Sequence, residues 1–242
     1  YSMTKPITSL GLMILEDQGL VDLNSPLSDF IPSFNNCNAL IDGAKNIYEV
    51  EKVPSPTLMH LLTHTSGLSY PFNDTLVGRA YSEAMKMKPQ QLSPDKPKLG
   101  TSNNEINLET LCNILATFPL SFYPGRKWEY SMSIDVVGRI IEIVSGKNLS
   151  DYLEENIFEP IGMKNTGFAF KNNMEERLAD CYLKDPEDSL YQSYLDKPSM
   201  YYKEKMKLFL GGSGLLSTIT DYFNFTQLII GEGTYKGTRI IS

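Results

Sequence analysis

The chain has 242 residues, of which 41% are hydrophobic and 21% charged, a globular balance that excludes a disordered tail, a collagen-like repeat and a coiled-coil rod. Its formal net charge is −7, with 22 basic and 29 acidic residues and no Lys/Arg stripe, so no nucleic-acid partner is expected. No apolar run approaches the ~18 residues needed to span a bilayer, and Cys37, Cys112 and Cys181 lack a C-x-x-C pair, which favours reduced structural thiols and leans toward a cytoplasmic setting.

Residues 2–18 read as an amphipathic helix: Met3, Ile7, Leu10 and Ile14 recur at helical spacing, and Gly19 stands where a helix stops. Pro6 is tolerable only in the first turn, so this helix should begin close to Ser2. A turn at Asp22–Pro26 leads into a short helix ending near Pro32, and Thr57 caps another from Leu58 to Thr63. Residues 70–105 form the longest irregular stretch; their lysines Lys86, Lys88, Lys96 and Lys98 read as a solvated loop. Helices follow from Asn107 to Thr117, from Ser133 to Val144 with Gly146 as stop, and from Ser150 to Phe158 before Pro160. Strand candidates are few and short: Leu208–Leu210, Leu215–Ser217 and Arg239–Ile241.

Several chemistries drop out for want of a motif. There is no G-x-S-x-G elbow, and Gly211-Gly212-Ser213-Gly214 lacks the G-K-[ST] ending of a phosphate loop. His60 and His64 sit one helical turn apart, but Leu61 replaces the Glu of H-E-x-x-H and no third ligand accompanies them, so no metal or other cofactor is expected. They read as a packed His60 and a helix-terminal His64, and nothing in their spacing recommends a Ser-His-Asp triad. Serine activated by lysine remains. Ser2-Met3-Thr4-Lys5 is an S-x-x-K at a predicted helix start, where positions i and i+3 share a face and the helix terminus carries partial positive charge. A second copy, Ser93-Pro94-Asp95-Lys96, is flanked by prolines that oppose a helix. For a lysine to act as a base near neutral pH, its neutral form must gain about 4–5 kcal/mol, so burial and a polar helper are required. A tyrosine could relay the proton, and fourteen are available.

Five segments in order resemble the serine β-lactamase and penicillin-binding protein superfamily, in its class C-like branch of β-lactamase-fold carboxylesterases. They are Tyr1–Ser9 around the S-x-x-K, Leu61–Leu68 (L-L-T-H-T-S-G-L), Pro124–Ser131 (P-G-R-K-W-E-Y-S), Pro160–Thr166 (P-I-G-M-K-N-T) and Gly211–Thr218 (G-G-S-G-L-L-S-T). The resemblance implies an α+β fold in which a helical lobe, residues 1–205, precedes a return to an antiparallel sheet over 206–242. It also implies a catalytic set of Ser2 as nucleophile with Lys5 and Tyr130 as proton carriers, the Ser2 amide giving half of an oxyanion hole. A small ester or amide is the implied partner. The Tyr-x-Asn of many lactamases reads Tyr130-Ser131-Met132 here, which favours esters over β-lactams. The third motif of the superfamily is missing: Lys236-Gly237-Thr238 has the wrong order and lies too early. The expectation is therefore a single incomplete domain, an internal segment of a longer protein, with Trp128 assigned to packing and His64 and Gly67 to shaping the fold. An acyltransferase, a lactamase or D-amino-peptidase, and a non-catalytic scaffold of the same fold are the rival readings.

Overall fold

The computed structural model describes residues 1–85, 106–171, 174–179, 182–184, 191–193 and 207–242. The second S-x-x-K, the four loop lysines and Cys181 lie outside the described residues. Helices α1 (Thr4–Asp17), α2 (Leu58–Leu62), α3 (Leu76–Ala84), α4 (Leu108–Ala116), α5 (Ser133–Ser145), α6 (Leu149–Leu153), α7 (Glu159–Ile161) and α8 (Ile219–Ile230) carry most of the described structure. Sheet is confined, among the described residues, to three two-stranded antiparallel ribbons: β1 (Asn38–Leu40) with β2 (Val50–Lys52), β3 (Tyr182–Lys184) with β4 (Tyr191–Ser193), and β5 (Thr234–Tyr235) with β6 (Thr238–Arg239).

The long helices follow their sequence signals. At the end of α1 the Gly19 and Leu20 amides donate to the carbonyls of Glu16 and Leu15, a Schellman stop made possible by Gly19 at φ +70°. Gly146 closes α5 in the same left-handed conformation. Thr57 caps α2, and the His60 ring completes the box by accepting from the Thr57 amide at 3.1 Å. Other elements depart from expectation. The region around Pro32 holds two single 3₁₀ turns, Leu27–Asp29 and Pro32–Phe34. The stretch assigned as irregular contains α3, capped by Thr75. The helix expected to end before Pro160 passes through a π turn at Glu154–Phe158 and resumes as α7, where Pro160 occupies a first-turn position that needs no amide hydrogen.

Two of the three strand expectations fail. Leu208–Leu210 is not a strand, and Leu215–Ser217 contributes only an isolated bridge, Leu216 to Gly167. The third is shifted: Lys236 (φ +46°) and Gly237 (φ +83°) form the two-residue turn of the β5–β6 hairpin, which ends at Arg239.

The core is organised on α5, which packs against α1, α2, α4 and α6. Gly11 of α1 lies against Ile141, Tyr152 and Leu153, and the Tyr152 hydroxyl donates to the Gly11 carbonyl at 3.1 Å. Val136, Val137, Ile140 and Ile141 of α5 are fully buried in this contact region. The two segments Pro160–Thr166 and Gly211–Thr218 lock together: Gly167 pairs with Leu216, and buried Asp221 accepts from the Asn165 amide (2.7 Å) and the Thr166 hydroxyl (2.9 Å).

Candidate active site

Ser2 stands in the turn that feeds α1, and Lys5 in the first turn of that helix. The Thr4 amide donates to the Tyr1 carbonyl (2.9 Å) and the Lys5 amide to the Ser2 carbonyl (3.1 Å), so the helical path already runs through Ser2. The i, i+3 geometry leaves Ser2 exposed and draws Lys5 inward to 9% exposure.

Tyr130 arrives from a distant part of the chain, on the segment preceding α5. That segment runs edge to edge with residues 64–69. The Gly125 amide donates to Thr65 (2.8 Å), the Glu129 amide to His64 (3.0 Å) and the Met132 amide to Ser69 (3.2 Å). Gly67 sits at φ +86° with the Phe122 carbonyl 2.6 Å from where a Cβ would stand, so only glycine permits this approach. The result brings the Tyr130 hydroxyl into a hydrogen bond with Ser2 Oγ. Lys5 Nζ lies 3.4 Å from Ser2 Oγ and 4.6 Å from the Tyr130 ring centre. The three residues singled out in the sequence therefore meet.

Three further polar groups complete the arrangement, and the sequence reading assigned none of them to the site. Lys5 Nζ donates to the Tyr70 hydroxyl at 3.0 Å and to the Gly212 carbonyl at 2.8 Å. Behind them, Asp135 on the first turn of α5 accepts from the Gly212 amide at 2.8 Å, and the Tyr70 hydroxyl lies close to its carboxylate. Burial pushes the Asp135 carboxyl up to about 6, against the lowering pull of the Gly212 amide, of Lys5 and of Tyr70. Burial and the neighbouring Asp135 raise the Tyr70 phenol well above its ordinary value. A signal for Tyr70 existed in its place directly after H-T-S-G-L-S; Asp135 gave none beyond being a carboxylate amid apolar neighbours.

The glycine-rich segment owes its composition to this contact. A Cβ on Gly212 would stand 2.7 Å from an Asp135 carboxylate oxygen and 2.9 Å from the Tyr70 oxygen, and one on Gly211 would stand 2.6 Å from the Ile134 carbonyl. Helix α1 fixes the segment from the other side: Thr8 Oγ1 donates to the Gly211 carbonyl (2.8 Å), and Thr4 Oγ1 accepts from the Leu215 amide (3.2 Å).

His64 stands just past α2 at φ +56°, with Nδ1 3.1 Å from Ser131 Oγ. Ser131 continues through Ser133 to Ser66, a chain of hydroxyls beneath Tyr130. Burial, and to a smaller extent Lys5, pushes the His64 imidazole down to about 4, so it is neutral at pH 7. His60 serves as a helix cap, not as a packed core ring. Trp128 corrects the packing assignment: it is 66% exposed, and its ring stacks 6.3 Å from that of Tyr130. On the other side Phe72 stacks on Tyr70 at 4.6 Å, and Tyr70 lies 5.2 Å from Tyr130, giving a row of four rings with partly exposed ends. Met132 is buried in the apolar core. Among the described residues no group of three His, Cys, Asp or Glu side chains is placed to hold a metal, and no helix is long and apolar enough to cross a membrane.

Known proteins resemble this chain in both sequence and fold. Rv1367c of Mycobacterium tuberculosis is 31% identical over 242 residues, which is 100% of this chain and 55% of that protein. Esterase EstB of Burkholderia gladioli is 32% identical over 171 residues, 69% of this chain and 37% of EstB. The chain thus spans about half the length of the curated relatives it matches. Among solved structures, EstCE1, a hydrolase with promiscuous acyltransferase activity, superposes with a TM-score of 0.71 at 23% identity, over 100% of this chain and 59% of EstCE1, which establishes a β-lactamase/transpeptidase-like α+β fold. The family model described as Beta-lactamase matches residues 1–240, and the chain belongs to the beta-lactamase family.

Proposed function

We propose that this chain carries the acyl-transfer centre of a serine hydrolase acting on small acyl esters. The observation that carries the reading is the meeting of Ser2, Lys5 and Tyr130: a hydroxyl hydrogen-bonded to a phenol, with a buried amine beside both. Ser2 Oγ attacks the ester carbonyl while its proton passes to the pair formed by the Lys5 amine and the Tyr130 phenol oxygen. Collapse of the tetrahedral intermediate breaks the bond to the alcohol, which leaves with that proton. Water, deprotonated by the same groups, then frees the acid and restores Ser2. The Ser2 amide, at the N-terminal end of α1, is one donor for the developing oxyanion. The exposed ends of the aromatic row, Phe72 and Trp128, offer apolar walls for an acyl or alcohol group.

EstB, a relative at 32% identity, is named an esterase, which supports this choice of substrate class. The test uses the full-length protein, a fluorophosphonate probe and p-nitrophenyl acetate. Covalent labelling and ester turnover are expected in the natural protein, with both abolished in Ser2→Ala. Equal labelling of the two proteins would remove Ser2 from the reaction. Nitrocefin turnover matching ester turnover would move the assignment to a lactamase, and acyl transfer to an added alcohol in preference to water would move it to an acyltransferase.

A further inference from the structure

Asp135 is a buried charge with no task in the scheme above. It is 2% exposed, and among the described residues no basic side chain forms an ion pair with it. A carboxylate in such a place is costly to bury and persists only where its hydrogen bonds are well made. Its carboxylate accepts from the Gly212 amide, and the neighbouring polar hydrogen is that of the Tyr70 hydroxyl. These belong to the two groups that accept from Lys5 Nζ, the Tyr70 oxygen at 3.0 Å and the Gly212 carbonyl at 2.8 Å.

The direction of each hydrogen bond then follows. An ionised carboxylate only accepts, so the Tyr70 O–H points at Asp135 and its lone pair is left for Lys5. The Gly212 peptide is clamped by its amide on Asp135, with its carbonyl turned to Lys5. Two acceptors thus engage two amine hydrogens, and the remaining direction at Nζ is that of Ser2 Oγ, 3.4 Å away. We propose that Asp135 is a positioning residue for acyl transfer: by holding Tyr70 and the Gly212 peptide as acceptors, it turns the lone pair of the neutral Lys5 amine onto Ser2. The assignment rests on the proposed function and deepens it.

Two effects of the carboxylate compete. Its negative charge favours the ammonium form of Lys5, which would slow proton abstraction; its hydrogen bonds orient the neutral form, which would speed it. Asp135→Asn separates them, because it removes the charge and keeps the shape. With its oxygen on the Gly212 amide, the new side chain must donate its NH₂ to Tyr70. The Tyr70 hydroxyl then turns to Lys5 and occupies the lone pair that should face Ser2. Orientation therefore predicts a slower variant and charge alone a faster one.

The experiment measures steady-state hydrolysis of p-nitrophenyl acetate by the full-length protein, Asp135→Asn, Tyr70→Phe and the double variant, with melting curves as folding controls. Asp135→Asn is expected to lose about 100-fold in kcat, the scale of one acid–base contribution, while KM changes little because Asp135 does not touch substrate. Tyr70→Phe should lose a comparable factor, and the double variant should be no slower than the slower single one, since Asp135 acts through Tyr70. Wild-type or faster turnover in Asp135→Asn overturns the proposal, as does a loss confined to KM or a pair of losses that multiply. Should Asp135→Asn fail to fold, Tyr70→Phe decides: a wild-type kcat there overturns the proposal. An inert natural protein whose probe labelling is unchanged by Ser2→Ala would instead overturn the acyl-transfer reading itself, and this assignment with it.

Discussion

Two residues beside Tyr130 titrate with opposite consequences for stability. His64 is held neutral, its folded value near 4 against 6.5 unfolded; between those limits the unfolded chain takes up a proton that the fold refuses, so stability falls as pH drops. Asp135, near 6 folded against 3.8 unfolded, does the reverse: the fold holds a proton that the unfolded chain has lost, and stability rises as pH drops through 6. At about 1.4 kcal/mol per pKa unit, the buried carboxyl is worth about 2–3 kcal/mol, and the half-buried imidazole, after solvent screening, about 1–2 kcal/mol. The two oppose each other between pH 6 and 4. His64→Asn, a side chain that tolerates φ +56°, should therefore grow more stable relative to the natural protein on acidification from pH 7 to 4.5, by about 1–2 kcal/mol in urea denaturation. Parallel stability curves for the two proteins would contradict the assignment of His64 as a half-buried neutral ring.

At the scale of elements, glycines do two different jobs, and the difference is measurable. Gly146 only closes α5: it sits at φ +70° with nothing within 4 Å of where a Cβ would stand, so Gly146→Ala should cost about 1 kcal/mol of backbone strain. Gly67 has the same handedness but faces the Phe122 carbonyl at 2.6 Å, so Gly67→Ala adds a steric clash and should cost about 2–4 kcal/mol. Equal melting temperatures for the two variants would show that the 64–69 segment yields more readily than this pairing implies. The contrast marks what was legible in the sequence. Stops such as Gly19 and Gly146 are local, and so were the helices they end. Gly67, Gly211 and Gly212 answer to backbone and side chains far away in the chain, and only family order hinted at them. Strands failed for the same reason: Leu216 pairs with Gly167 for a single bridge, and no periodicity forecasts so brief a meeting. Tyr70 was hidden among fourteen tyrosines, and Asp135 belongs to no motif; it is an acid in a first helical turn, where it also complements the dipole.

Across the whole molecule, the site spans the contact between two helices. Lys5 lies in the first turn of α1 with Ser2 just before it, Tyr130 and Asp135 lie at the entry to α5, and a Cβ on Gly11 would stand 3.2 Å from Ile141 of α5 and 3.0 Å from Leu153 of α6. The separation of α1 and α5 sets the distance between amine and phenol, because close-packed interiors transmit a displacement instead of absorbing it. A side chain at position 11 is therefore a wedge acting on chemistry two turns away. Gly11→Leu should lower stability by about 1–3 kcal/mol through overpacking. At a temperature where the variant remains folded, fluorophosphonate labelling of Ser2 should also slow by about tenfold or more, since small misplacements of a catalytic group carry such penalties. A matched variant outside the α1–α5 contact, Leu228→Ala in α8, should lose about 2–4 kcal/mol by leaving a cavity yet label at the natural rate. If both variants slowed labelling in proportion to their loss of stability, the α1–α5 contact would be an ordinary part of the core. A slowdown confined to Gly11→Leu would identify that contact as what holds the amine and the phenol in register.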